Sequence, residues 1–252
     1  MKQNTILITQ ARMASTRLPG KVLKKVCGKE LLRIHLDRLR DCKNISEIIV
    51  ATTVNSGDDI ILKYVENWQY KVFRGLEEDV LDRYYQAAKD YQPGWVVRVT
   101  SDCPLVDPNL VDRVIEFAQK NDVDYCSNTL IEQFPDGQDV EVFTFNALER
   151  AWKESKKLSE REHVTQYIKN NSNFFGHNSF NAINYPAPAD YSDIRMTVDE
   201  DRDILLVELL VSKLGFGKSW IEYTDYIIEH KLFDINKGII RNEGLLKSLM
   251  KD

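Results

Sequence analysis

Three cations, Arg12, Arg17 and Lys21, fall within ten residues of one another, directly after the short apolar run TILITQA at 5–11. Seven Lys or Arg precede the first acidic residue, Glu30, in a chain of 252 residues whose net charge is −5. The basic excess is therefore local, and a local cluster on an acidic chain suggests a site for an anion. Guanidinium forks match phosphate oxygens two at a time, and a lysine adds a compact point charge. The same loop adds the hydroxyls of Ser15 and Thr16 and several backbone N–H groups. It contains neither GxGxxG nor GxxxxGK[ST], and GFGKS at 215–219 has Ser212 where the second pattern needs its first glycine. A triphosphate is the economical occupant; a solvated basic turn is the alternative.

Carboxylates that complement such a loop occur further on. Asp102, in VRVTSDCPLVD, falls at the carboxyl end of an expected strand, where it can hold a hard cation such as Mg²⁺ or simply form a turn. In RMTVDEDRD at 195–203 the acids open a helix, which suits the helix dipole. Asp199 is the one expected to end a strand directly, facing the same edge as Asp102. In PDGQDVEVF, Asp136–Gly137 makes a turn, and Asp139 and Glu141 alternate with Val140 and Val142, so both carboxylates share one sheet face. Ser159 with Glu162 reads as a capping box, which leaves Arg161 and His163 to grip a polar or anionic substrate.

The elements that must position these residues alternate in type. Strands are expected at 5–11, 47–53, 70–75 and 95–102, and helices at 30–42, 58–68, 78–91 and from Asp107–Pro108 to about 120. Such alternation gives a parallel sheet covered on both faces, with ligands outside the carboxyl ends of its strands. The second half is less regular, with a strand at 139–145, helices at 146–155 and 159–170, and strands within 174–198 ending in DIRMTVD. Helices follow at about 201–213 and 219–230. The division expected is one domain over 1–252, with a β-rich insertion at about 125–195 and a helical extension at about 215–252. The acidic balance argues against a general nucleic-acid binder. Four scattered cysteines without CxxC suggest neither zinc nor disulfides, and no segment reads as a signal peptide or a membrane span, so a cytoplasmic location is expected.

Together the segments are more specific than any one alone. QARMASTRLPGKVL resembles the signature loop of the sugar-activating cytidylyltransferases, the family that makes CMP-linked sialic acid and Kdo. Further matches are IIVATT, VFRGLEEDVLDRYYQAA, VVRVTSDCPLVDP, DYCSNT, FPDGQDVEVF, SEREHVT and IRMTVDEDRD. They run in order over residues 4–214, and the nearest resemblance is to the SpsF-like branch, named for spore-coat polysaccharide synthesis. Where relatives often read DEPED, this chain has Asp201–Arg202–Asp203.

The resemblance implies an α/β nucleotidyltransferase fold, Rossmann-like and three-layered, with a mixed, mostly parallel sheet and a small β-rich protrusion used for dimerisation. It places triphosphate ligands on Arg12, Ser15, Arg17 and Lys21, and Mg²⁺ on Asp102 and Asp199. It places base and ribose contacts near Gln10, Ala11, Arg74 and the 78–83 segment, including Asp79. Sugar contacts fall on Asp136, Asp139, Glu141, Arg161, Glu162 and His163, and residues 215–252 receive no chemistry. The implied reaction moves CMP from CTP to a sugar acid, with Arg12, Arg17, Lys21 and Asp102 as the catalytic set, in a homodimer that binds neither nucleic acid nor membrane. The alternatives are a guanylyl-, uridylyl- or adenylyltransferase acting on a sugar 1-phosphate, and a catalytically silent nucleotide-binding relative.

Overall fold

A computed structural model describes residues 4–252. Its centre is a seven-stranded sheet built on β1 (Thr5–Gln10). From β1 the chain crosses through α1 (Leu31–Leu39) to β4 (Glu47–Thr53), and through α2 (Asp59–Asn67) to β5 (Lys71–Gly75). A small hairpin, β2 (Lys25–Val26) with β3 (Lys29–Glu30), precedes α1. After α3 (Val80–Lys89) the chain returns to the other side of β1 as β6 (Trp95–Arg98), giving four parallel strands in the order β5-β4-β1-β6. The direction of winding thus reverses at β1, the switch point where open α/β sheets leave a crevice.

β1 is short and β-branched, and its alternation sorts the core into two layers. Leu7 joins Val50 and Val97 against Leu32 and Leu36 of α1 and Val111 and Ile115 of α4 (Pro108–Asn121). Ile6 and Ile8 join Ile49 and Val96 against Leu81, Tyr84 and Ala88 of α3 and Leu148 and Ala151 of α5 (Phe145–Glu154). Asp107 caps α4 as expected, its Oδ1 accepting from Asn109 N at 2.8 Å, with Pro108 in the first turn.

The second half corrects several expectations. The strands of 125–195 are β7 (Tyr125–Ser127), β8 (Glu141–Thr144) and β9 (Ala182–Asn184), and all three extend the central sheet in the order β6-β8-β7-β9. Only β8 runs antiparallel to its neighbours. The segment around them is mainly helical and irregular. The helix expected at 159–170 is two, α6 (Leu158–Glu162) and α7 (Gln166–Asn170), broken where Val164 takes a φ of 54°. DIRMTVD is no strand: Arg195 makes one isolated bridge to Asp136, and the rest is irregular. β6 stops at Arg98, so Asp102 lies in the turn beyond it.

A third apolar layer packs α8 (Asp201–Leu214) and α9 (Trp220–Glu229), through Leu206, Leu210, Tyr223 and Ile227, against Met196, Val198, Ile34 and Leu105. It fixes 193–199 beside the 99–107 turn. The chain ends in α10 (Glu243–Leu249), which packs against α6. Among the described residues no helix is long and apolar enough to cross a membrane.

Candidate active site

The loop after β1 is a compact turn and not a solvated excursion. Met13 O accepts from Gly20 N at 2.8 Å, and Met13 N donates to the buried Asp58 carboxylate at 2.7 Å. Gly20, with φ 69°, then turns the chain into a short 3₁₀ turn that begins at Lys21. The Lys21 ammonium points inward and donates to Asp102 Oδ2 at 2.9 Å, Asp199 Oδ1 at 2.9 Å and the Val198 carbonyl at 2.8 Å. Two carboxylates from segments almost a hundred residues apart therefore converge on one cation.

Burial alone would lower the Lys21 pKa, but Asp102 and Asp199 outweigh it and hold the ammonium protonated. Burial likewise pushes the Asp102 carboxyl up, and Lys21, with a hydrogen bond from Thr100, outweighs that and keeps it far below the usual carboxylate range. Asp199 also pairs with Arg17 through Oδ1 at 2.8 Å and with Arg195 through Oδ2 at 2.8 Å.

Two adjoining clefts share this cluster. The first, of about 430 Å³, is lined by the 10–22 loop, Arg83 and Ser101, and includes Arg17, Lys21, Asp102 and Asp199. The second, of about 390 Å³, is lined by Arg98, Asp136, Asp139, Glu141, Lys169 and Arg195. Arg17, Asp102 and Asp199 line both; the first cleft carries six basic and four acidic side chains, the second four basic and seven acidic.

Most of the expected residues meet here. Gln10, whose Oε1 accepts from Tyr84 at 2.5 Å, lines both clefts, and Ala11, Arg12 and Ser15 line the first. Arg12 is paired with Glu77 at 2.9 Å. Asp136 pairs with Arg195 at 2.5 Å, and Asp139 with Arg241 at 2.7 Å. Asp139 and Glu141 do face one cleft, although the strand begins only at Glu141. Glu141 accepts from Tyr125 at 2.6 Å, Thr165 at 2.5 Å, Lys169 at 2.9 Å and Arg98. Burial raises its pKa, but Lys169 and Arg98 more than reverse this and hold it ionised as the hub that joins β6, β8 and α7. His163 is pushed down to about 4, chiefly by burial and then by Arg98, and is neutral at pH 7.

Three residues fall elsewhere. Arg161 forks onto Asp79, with Nε 3.0 Å from both carboxylate oxygens, and donates to the Trp152 carbonyl at 2.8 Å. Asp79 also caps α3, accepting from Asp82 N at 2.9 Å. The two residues satisfy each other and line neither cleft. Arg74 holds the Thr53 carbonyl at 2.8 Å and Asp59 at 2.8 Å, a tie between β5 and the end of β4, also outside both clefts. The Ser159–Glu162 capping box is not formed: Glu160 accepts from Lys157 N at 3.4 Å, while Ser159 and Glu162 bind Asp252 and Ser248.

The sequence reading missed Arg98, Lys169 and Arg195, and also Arg83, which is 2% exposed and has a buried Nε without a hydrogen-bond partner. Arg98 carried a signal, a charge inside the apolar run WVVRV. Arg195 carried none that stands out along the chain: it sits between Asp136 and the acids of 199–203 only once the chain is folded.

Asp102 and Asp199 are the carboxylates that would hold a hard divalent cation, since their oxygens already converge on one positive charge, the Lys21 ammonium, beside the first cleft. Mg²⁺ is ordinarily held by one or two carboxylates and completed by phosphates and water. Among the described residues there is no cluster of three or more His, Cys, Asp or Glu that would form a closed cage.

Sheet order, switch-point loop and paired clefts define an α/β nucleotidyltransferase. The chain belongs to the cytidylyltransferase family, whose model matches residues 6–233. It is 43% identical over 202 residues to an uncharacterised protein of Methanocaldococcus jannaschii, covering 79% of each chain. It is 34% identical to the spore coat polysaccharide biosynthesis protein SpsF of Bacillus subtilis over 217 residues, 83% of this chain and 87% of the other. Among solved structures, a cytidylyltransferase from Leptospira borgpetersenii superposes with a TM-score of 0.87 at 29% identity, covering 95% of this chain and 100% of that one.

Proposed function

We propose that this cytidylyltransferase moves CMP from CTP to a hydroxyl of a sugar acid and releases pyrophosphate, for a surface polysaccharide or glycan. The observation that carries the reading is the pair of clefts meeting at Arg17, Asp102 and Asp199. A triphosphate in the first cleft puts its α-phosphorus at these three residues, and an acceptor in the second reaches them from the opposite side. The hydroxyl oxygen forms the new bond to the α-phosphorus, the bond to the bridging oxygen of the β-phosphate breaks, and the hydroxyl proton passes to water. Transfers of this type ask the protein for positioning and charge stabilisation more than for covalent help.

Arg12, Arg17 and Lys21 neutralise the pyrophosphate as its charge develops, from donors already fixed by the Met13–Gly20 turn. Carboxylates in the second cleft suit the hydroxyls of a polyol, and Arg98, Lys169 and Arg195 supply positive charge toward an acidic substituent. Mg²⁺ held by Asp102 and Asp199 would polarise the α-phosphate. The resemblance extends the proposal to a cytoplasmic homodimer, which light scattering of the purified protein checks.

The deciding experiment incubates the protein with Mg²⁺ and each of the four ribonucleoside triphosphates against a panel of nonulosonic and octulosonic acids and sugar 1-phosphates, read by mass spectrometry. CMP-linked sugar acid with CTP alone is the expected product. Turnover with another triphosphate and a sugar 1-phosphate would replace this reading, and binding without pyrophosphate release over the whole panel would leave a silent binder.

A further inference from the structure

The last twelve residues lie beyond the span matched by the family and fold back over the site. Arg241 pairs with Asp139 at 2.7 Å, Asn242 donates to Glu132 at 2.8 Å, and Glu243 pairs with Arg17 at 3.2 Å. Ser248 donates to Glu162 at 2.5 Å, and Asp252 accepts from Ser159 N at 2.9 Å. Glu243 and Gly244 line both clefts, and Lys247 and Lys251 line the first.

Within this strap Glu243 occupies a telling position. Arg17 divides its guanidinium between Asp199 and Glu243. Asp199 is anchored by Lys21 and Arg195 as well, whereas the other partner of Glu243 is Lys247, an exposed side chain one helical turn on, at 2.6 Å. A polyphosphate approaching Arg17 meets like charge from both carboxylates, and only Glu243 is free to yield. Its departure also releases Lys247, which already faces the same cleft.

We propose that Glu243 is a built-in stand-in for phosphate: it holds Arg17 and Lys247 in the empty enzyme, and the polyphosphate of the substrate replaces it on both. The inference rests on the reading of the 12–21 loop as the phosphate site. It makes the C-terminal strap a working wall of that site, one that trades an internal ion pair for a substrate contact and so lowers affinity in return for a preset Arg17.

Inorganic tripolyphosphate is the probe, because its binding depends on neither the base nor the sugar. Isothermal titration compares wild type with Arg17→Ala, Glu243→Gln and Lys247→Ala, each first shown to melt as wild type does. The expected result is a loss of binding in Arg17→Ala, a gain of about two- to fivefold in Glu243→Gln and a loss of similar size in Lys247→Ala, the range of partly exposed ion pairs. If Arg17→Ala binds as wild type, the phosphate site itself is misplaced. If Arg17→Ala weakens binding but Glu243→Gln leaves it unchanged or weaker, the phosphate site stands and the stand-in role is overturned, since a merely structural Glu243 would only loosen the strap.

Discussion

At the scale of single residues, the site separates side chains that hold charge for a substrate from those that hold it for the fold. In the proposed reaction Arg17 is of the first kind: it lines both clefts, about a quarter of its side chain is exposed, and its partners among the described residues are the carboxylates of Asp199 and Glu243. Removing one preorganised donor to developing charge costs about 10²–10³ in rate. Arg17→Ala is therefore expected to lose turnover by that factor while its thermal midpoint stays near wild type, in a pyrophosphate-release assay run beside a melt. Arg195 is of the second kind, 9% exposed and bound to Asp136, Asp199 and Asp203. Arg195→Ala leaves three close carboxylates facing one another, and breaking a buried pair costs about 3–5 kcal/mol, measurable as a fall in the urea midpoint. The basic loop was legible because seven cations without an acid stand out along a chain. Arg195 was not, because its partners lie up to 59 residues away. The partner of Arg161 was hidden for the same reason: its carboxylate is 82 residues upstream, and nothing local announces that its charge is matched by Asp79.

At the scale of elements, periodicity located the first half well because its strands are buried on both faces and its helices carry a clean apolar stripe. β4 spans Glu47–Thr53, the expected bounds, and α5 lies within a residue of them. Patterning lost its hold after residue 125, where short segments are placed by single ion pairs and tight turns. Gly137 shows how narrow such a placement is. With φ at 105° it lies in the region that favours glycine, and a Cβ there would stand 2.6 Å from Thr197 N and 2.8 Å from the Met196 carbonyl carbon. Both are backbone atoms of the segment carrying Arg195 and Asp199, which pairs with Asp136 through Met196 N and the Asp136 carbonyl at 2.7 Å. Gly137→Ala is expected to destabilise by about 2 kcal/mol or more, from dihedral strain and steric overlap together. It should also shift Asp136 and Asp199, so turnover falls even at temperatures where the variant remains folded. A variant with wild-type melting and wild-type turnover would show that the two backbones part without cost.

At the scale of the whole molecule, β1 and the turn beyond β6 are joined by a buried histidine that no local pattern marked as special. His35 on α1 is fully buried; its Nδ1 donates to the Cys103 carbonyl at 2.9 Å, and its Nε2 accepts from the Thr9 hydroxyl at 3.1 Å. It thereby ties β1 to the turn that carries Asp102. Burial pushes its pKa from 6.5 down to about 4, with Arg38 adding to the shift and the Cys103 bond and Asp102 opposing it. The unfolded chain takes up a proton near pH 6.5 that the folded chain refuses until about pH 4. The stability due to neutral His35 is thus complete above about pH 6.5 and is lost progressively as the pH falls toward 4. At 1.36 kcal/mol per unit, the loss amounts to about 3 kcal/mol. Asp102 and Glu141, whose pKa values are held below the ordinary carboxylate range, add their own loss at lower pH still, once the unfolded carboxylates protonate. Between pH 6.5 and 4.5 His35 and the less deeply buried His163 lose stability, while Asp136, raised to about 7 chiefly by burial, and Asp139, also raised by burial, take up protons in the folded chain first and oppose that loss. The share of His35 is therefore read from the difference in urea midpoint between the wild type and a variant at that position, in which the carboxylates and His163 cancel. His35→Gln, whose amide can still donate to one partner and accept from the other, should be less stable than the wild type at pH 7.5, by a gap that narrows as the pH falls to 4.5. An unchanged slope in that variant would mean that the fold does not charge His35 in acid, and that the acid sensitivity of the site begins with its carboxylates.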